Sequence, residues 1–198
     1  MGRHTTAIVT FSGFTEDIDE PTGTMRLYEE VISKYDADRV QTFTPRPWNQ
    51  NPRKLARMIQ RLGYEKVILV GYSWGAGWAS QVFAMECHKI GLEIPLALLC
   101  DPVYRPSWIP GWMGAFPLSF RALFRWGVKI HISPSVRYVV WVRQNNSIPR
   151  GHDLVPKEWG RTLIEPATYL PYSHVKIDNA QEWHDIVDMS LTAQLNKY

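Results

Sequence analysis

Along most of the chain, short apolar runs alternate with longer stretches whose apolar residues recur every three or four positions. The short runs lie at 7–11, 39–43, 67–70, 95–100, 136–142 and 168–172. The run at 67–70, Val-Ile-Leu-Val, is apolar at every position, as a strand buried on both faces must be. The longer stretches read as helices. Residues 24–35 carry Leu27, Val31 and Ile32 on one face. The next helix has Asn51 as its cap, Pro52 at its first position, and stops at Gly63. Two more cover 75–90, stopped by Gly91, and 179–195. Repeated β–α units predict an α/β three-layer sandwich: a mainly parallel, roughly six-stranded sheet with helices on both faces. In such sheets ligands bind at the carboxyl ends of the strands.

The alternation breaks once, after the fourth strand. Residues 102–134 hold Trp108, Trp112, Phe116, Phe120, Phe124 and Trp126, with prolines and glycines between them and Arg105, Arg121, Arg125 and Lys129 as punctuation. An insertion of this length in a compact fold is usually functional. Two compatible readings follow: a small subdomain with its own aromatic core, or a lid that lines an apolar pocket with Trp108, Trp112 and Phe116. No linker or repeat divides the chain, so 1–198 is expected to be one domain with this insertion inside it.

Composition narrows the function classes. The chain is 45 % apolar and 21 % charged, which is ordinary for a globular protein, and a net charge of +3 is too slight to imply nucleic acid. Cys87 and Cys100 offer neither a disulfide framework nor metal-ligand spacing and read as small buried side chains, so no metal is expected. No run reaches the roughly 18 apolar residues of a membrane span. With a core strand starting near Thr6, no signal peptide is expected either, which points to the cytoplasm. The match of Gly2–Thr6 to a myristoylation pattern is loose and leads straight into that strand.

The chemistry concentrates at Gly71-Tyr72-Ser73-Trp74-Gly75, a G-x-S-x-G pattern between the strand at 67–70 and the helix at 75–90. Glycines there permit a sharp strand-to-helix turn, which would hold Ser73 exposed at the strand tip as a nucleophile. A serine hydroxyl needs a base within hydrogen-bond reach.

These residues make the chain resemble a small member of the α/β-hydrolase superfamily, of the size of cutinases and phage lysis esterases. The likeness runs from Ala7 to Leu195 and rests on the elbow, the order of the strands, and His174-Val175-Lys176-Ile177-Asp178 after the last strand. It implies a six-stranded minimal form of that fold, without cofactor, that cleaves an ester, thioester or amide through an acyl-enzyme. The family order of serine, acid and histidine leaves His174 and His184 as bases. His174 directly follows the last strand, whereas His184 lies well into the final helix, so His174 is favoured. Asp101, at the end of the fourth strand, is the favoured acid. Asp153, in a segment that resembles a common family acid segment, is the alternative, and Asp178 reads as a helix cap. The resemblance further implies an oxyanion hole from the main-chain N–H groups of Trp74 and Phe14.

The expected activity is therefore hydrolysis of a carboxylic ester with an apolar acyl group, with contact to a lipid or polymer surface permitted. A non-catalytic relative that binds an acyl or cell-wall ligand, or an acyltransferase or thioesterase with the same residues, stays open. A dehydrogenase reading of Gly71, Gly75, Gly77, Tyr172 and Lys176 fails, because its glycine loop belongs after the first strand. Arg53, Arg57 and Arg61, four residues apart on one helix, read as a solvated face.

Overall fold

A computed structural model describes residues 6–14, 16, 23–37, 40–103 and 129–197 of the 198-residue chain. At its centre is a parallel sheet of seven strands. In the order β2-β1-β3-β4-β6-β8 it comprises β1 (Thr6–Phe11), β2 (Val40–Thr42), β3 (Lys66–Tyr72), β4 (Glu93–Cys100), β6 (Tyr138–Arg143) and β8 (Leu163–Ile164). The seventh, β9 (Thr168–Tyr169), shares the β6 edge with β8. Tyr138 and Val139 pair with β8, while Val142 and Arg143 pair with β9, so the two make one interrupted edge strand. Two further strands, β5 (Lys129–Ile132) and β7 (Asp153–Pro156), form a separate parallel pair.

Successive side chains in a strand point to opposite faces, and the core divides accordingly. Val67, Leu69, Ala97 and Leu99 face one way, with Leu55, Ala56 and Ile59 of α2 (Pro52–Arg61) and Phe83, Ala84 and Cys87 of α3 (Ser80–Ile90). Ile68, Val70, Leu96 and Leu98 face the other way. They meet Leu27 of α1 (Gly23–Leu27), Val31 and Ile32 of the π-helical turn that follows it, and Trp183, Val187 and Leu191 of α4 (Gln181–Leu195). Helices thus cover both faces. Each large apolar side chain buried here contributes about 1.5–3 kcal/mol. Trp183 is 1 % exposed, and its loss to alanine is expected to cost about 3–5 kcal/mol.

The helix ends follow the local chemistry. The Asn51 side chain accepts the Lys54 N–H at 3.2 Å at the start of α2. Gly91 closes α3 in the left-handed conformation, at φ 77°. Among the described residues no helix is long and apolar enough to cross a membrane.

Seven strands stand where about six are expected. Short edge strands make the difference: β8 has two residues and β9 two, instead of the run at 168–172. Lys129–Ile132, inside the stretch expected to form the insertion, is strand β5, paired with β7. Trp108, Trp112 and Phe116 lie outside the described residues. The topology also locates a crevice. The chain leaves β1 for β2 on one side, then crosses back to β3 on the other, so the loops after β1 and β3 diverge at the carboxyl edge of the sheet.

Candidate active site

That crevice is where Ser73 sits. The chain turns from β3 into a π-helical turn, Gly75–Ala79, that leads into α3. Ser73 itself takes φ 52°, a left-handed conformation that costs a side-chain-bearing residue about 1–3 kcal/mol. Both flanking glycines are required by close approach. A Cβ on Gly75 would fall 2.4 Å from the carbonyl oxygens of Phe11 and Ser12, and one on Gly71 would fall 2.8 Å from Ala76 Cα. The turn therefore wedges against the end of β1. Contrary to the expectation of an exposed serine, Ser73 is only 4 % exposed. The loop after β1 lies over it, with Gly13 so close that a Cβ there would sit 3.3 Å from Ser73 Cβ.

Ser73 Oγ lies 2.8 Å from His174 Nε2, and His174 Nδ1 lies 2.6 Å from Asp101 Oδ2. His174 is held from both ends of its backbone. Its N–H donates to Ser147 Oγ at 2.7 Å, and its carbonyl accepts the Tyr72 hydroxyl at 2.6 Å. Burial pushes the Tyr72 phenol well above its ordinary range, so it is a permanent donor.

Asp101 is fully buried at the end of β4, at φ 40°. Beyond His174 its carboxylate accepts from Gly151 N–H at 2.9 Å, Gln144 Nε2 at 3.1 Å and Gln144 N–H at 3.4 Å. Gln144 in turn organises the loop after β6. Its Oε1 accepts the N–H groups of Asn146 and Ser147, each at 2.8 Å, and its Nε2 lies 2.7 Å from Pro149 O. A Cβ on Gly151 would collide with Asp101 Oδ1 at 2.3 Å, so glycine is needed for that N–H to approach.

The other candidates lie elsewhere. Asp153 is the first residue of β7; its side chain is 55 % exposed and pairs with Arg143. His184 is buried in the first turn of α4, where Nε2 donates to Asp178 O at 3.0 Å and burial lowers its pKa. Asp178 does not cap α4: that position is Ala180, with no side-chain cap bond. The Asp178 carboxyl instead faces Glu16. Arg53, Arg57 and Arg61 are all exposed, and Arg57 pairs with Glu86 at 2.7 Å.

Around Ser73 the loop after β1 commits its first two N–H groups. Ser12 donates to Arg46 O at 3.0 Å and Gly13 to Glu16 Oε2 at 2.5 Å. Phe14 carries the next N–H. Beside it stands an aromatic wall: the Phe14 and Trp74 rings are 4.4 Å apart, Trp48 and Trp74 5.0 Å, and Trp48 and Trp78 6.3 Å. Val103 closes the cluster.

Sequence reasoning missed Gln144, Ser147, Tyr72 and Trp48. Each lies at or just beyond the carboxyl end of a sheet strand or in the loop after it, so topology was the signal, not residue type. A buried hydroxyl on an imidazole whose far nitrogen meets a carboxylate can pass its proton to that imidazole as it attacks an electrophile.

A model of the Alpha/beta hydrolase family matches residues 3–193. No curated protein matches. Among solved structures, the type II thioesterase BorB from the borrelidin biosynthetic cluster is 14 % identical, at TM-score 0.53, covering 95 % of this chain and 92 % of that one. The RedJ thioesterase of the prodiginine pathway in Streptomyces coelicolor has the same identity and TM-score and covers 95 % and 85 %. ClbQ from the colibactin NRPS/PKS pathway is 8 % identical at TM-score 0.51, covering 96 % and 98 %. At these identities the likeness is one of fold.

Proposed function

The chain belongs to the alpha/beta hydrolase family, and from that premise we propose that it is a serine hydrolase that cleaves carboxylic esters through an acyl-enzyme. The observation that carries this reading is the buried run of hydrogen bonds Ser73–His174–Asp101, at 2.8 and 2.6 Å. Ser73 Oγ attacks the ester carbon while His174 Nε2 takes its proton. Asp101 holds the Nδ1–H and offsets the positive charge that forms on the ring. The oxygen of the tetrahedral intermediate receives the N–H groups of Trp74 and Phe14, donors worth roughly 3–4 kcal/mol each. Collapse expels the alcohol, which takes the proton from His174. Water then attacks the acyl-serine by the same route and releases the acid.

The wall of Phe14, Trp48 and Trp74 favours an apolar acyl group. The same proposal gives the aromatic stretch that includes Trp108, Trp112 and Phe116 to that pocket, as a lid, and places the enzyme in the cytoplasm. A second reading keeps the chemistry and changes the substrate. The thioesterase names of BorB and RedJ favour a thioester, whose acyl carbon meets Ser73 in the same way.

Parallel panels of p-nitrophenyl esters and acyl thioesters of graded chain length test the substrate. Faster turnover of the esters, rising with chain length, supports the first reading, and faster turnover of thioesters supports the second. Ser73→Ala should abolish both without unfolding the protein. Undiminished hydrolysis by that variant sinks the proposal.

A further inference from the structure

Between the two loops of the site lie two carboxyl groups that the proposed reaction leaves unused. Glu16 follows the Phe14 turn, and Asp178 lies in the single helical turn Ile177–Asn179 just after His174. They meet over Gly23, the first residue of α1. A Cβ there would fall 2.1 Å from Glu16 Oε1 and 2.1 Å from Asp178 Oδ2, so no side chain fits between them.

The two acids have different partners. Glu16 Oε2 accepts the Gly13 N–H at 2.5 Å and the Thr24 hydroxyl at 2.6 Å, and Glu16 Oε1 accepts the Thr24 N–H. It thereby ties the loop after β1 to the start of α1. Gly13, the residue it grips, has the freest backbone in that loop and directly precedes Phe14. Asp178 is 3 % exposed, and its Oδ1 has no hydrogen-bond partner. From the loop after β1 it faces Glu16; from β3 and β4 it faces Tyr72 and Cys100, with Asp101 beyond. Burial keeps Tyr72 and Cys100 protonated. From α4, His184 reaches only its main-chain oxygen, and burial keeps that ring neutral. No cation among these groups offsets a second negative charge.

We propose that Glu16 is a positioning residue for the oxyanion loop, and that a proton held on Asp178 and donated to Glu16 clasps the His174 loop to the Phe14 loop. The inference rests on the hydrolase reading, in which Phe14 N–H receives the oxyanion. Burial, and then the repulsion and hydrogen bond of the neighbouring Glu16, push the Asp178 carboxyl up to about 8. Below that pH the clasp is closed. Above it two carboxylates face each other without a proton between them, the Gly13–Phe14 segment is driven off, and turnover falls.

The test measures kcat and KM on one p-nitrophenyl ester for the wild type, Glu16→Gln and Asp178→Asn, from about pH 6 to about pH 10. Fluorophosphonate labelling of wild-type Ser73 runs alongside. An amide at Glu16 sets an NH2 against an N–H or a hydroxyl. It should lower kcat about ten-fold or more with KM within about two-fold, as for a displaced oxyanion donor. Asp178→Asn supplies a permanent neutral donor. It should keep kcat near pH 7 within a few-fold and lose the alkaline fall that the wild type shows above about pH 8.

With Ser73 labelled, an unchanged kcat in Glu16→Gln, or identical pH profiles for wild type and Asp178→Asn, overturns the inference and leaves the hydrolase reading standing. If Glu16→Gln fails to fold by circular dichroism, the Asp178→Asn profile decides alone. An unlabelled, inactive wild type overturns the hydrolase reading first, and the inference with it.

Discussion

Two buried aspartates flank the loop that carries His174, and their surroundings are opposite. Asp101 is 0 % exposed and Asp178 3 %, so burial does not separate them. Asp101 is ringed by donors from three residues: His174 Nδ1, the Gln144 amide and main chain, and Gly151 N–H. Asp178 faces another acid and leaves one oxygen without a partner. Donors aimed at a carboxylate favour its charge, whereas a neighbouring carboxylate in a dry site favours the proton. The same side chain, at the same depth, is thus surrounded by donors in one place and set against another acid, as a hydrogen-bond donor, in the other. The surroundings decide which: His174, Gln144 and Gly151 aim donors at Asp101, whereas the main-chain N–H groups of residues 178 and 179 that reach the Asp178 carboxyl are outweighed by its burial and by Glu16.

Substitutions that erase the contrast should act in a definite order. Asp101→Asn should have the largest effect, lowering kcat on a p-nitrophenyl ester by about 10³–10⁴-fold, because the amide stabilises the wrong tautomer of His174. Gln144→Ala leaves Asp101 in place but removes the amide that shapes its loop. We expect kcat to fall about ten-fold and the protein to lose about 1–3 kcal/mol, seen as a lower Tm, because buried acceptors are left unpaired.

Asp178→Asn should act mainly on stability. The wild-type carboxyl holds its proton in the folded protein up to about pH 8 but loses it when unfolded near the ordinary aspartate value, about 3.9. Between these two values the folded state binds more protons, so wild-type stability falls as pH rises across the window. Asparagine has no proton to lose. The stability of the variant relative to wild type should therefore climb from about pH 4 to about pH 8, by on the order of a few kcal/mol, seen as a widening difference in Tm. A flat difference would show that Asp178 is already ionised and that the contrast with Asp101 is false. The smallest effect belongs to Asp153→Asn. Its exposed pair with Arg143 is worth at most about 1 kcal/mol, and kcat should stay within about two-fold.

The parts of this picture that were legible in the residues are those with local causes. A β-branched apolar run as short as Val67–Val70 reads as a buried strand, and G-x-S-x-G between such a run and a helical stretch reads as a sharp turn. Asp101 could be preferred over Asp153 because it ends a strand beside β3, whereas Asp153 lies well past the end of β6. What was not legible depends on partners distant in the chain. β5 and β7, Lys-Ile-His-Ile and Asp-Leu-Val-Pro, are only four residues each, too short to stand out as strands until they are paired with each other. Asp178 looks like a helix cap until Glu16, 162 positions earlier, is folded against it. Gln144 has no signature at all; only the loop it fills gives it a task.

Mapping the covalent adduct after fluorophosphonate treatment tests the central claim most directly. Mass spectrometry should find one adduct on the wild-type protein, on Ser73. The adduct should be absent in Ser73→Ala, strongly slowed in Asp101→Asn, and formed at the wild-type rate in Asp153→Asn. An adduct on any other residue, or labelling that is lost in Asp153→Asn and kept in Asp101→Asn, would contradict the account.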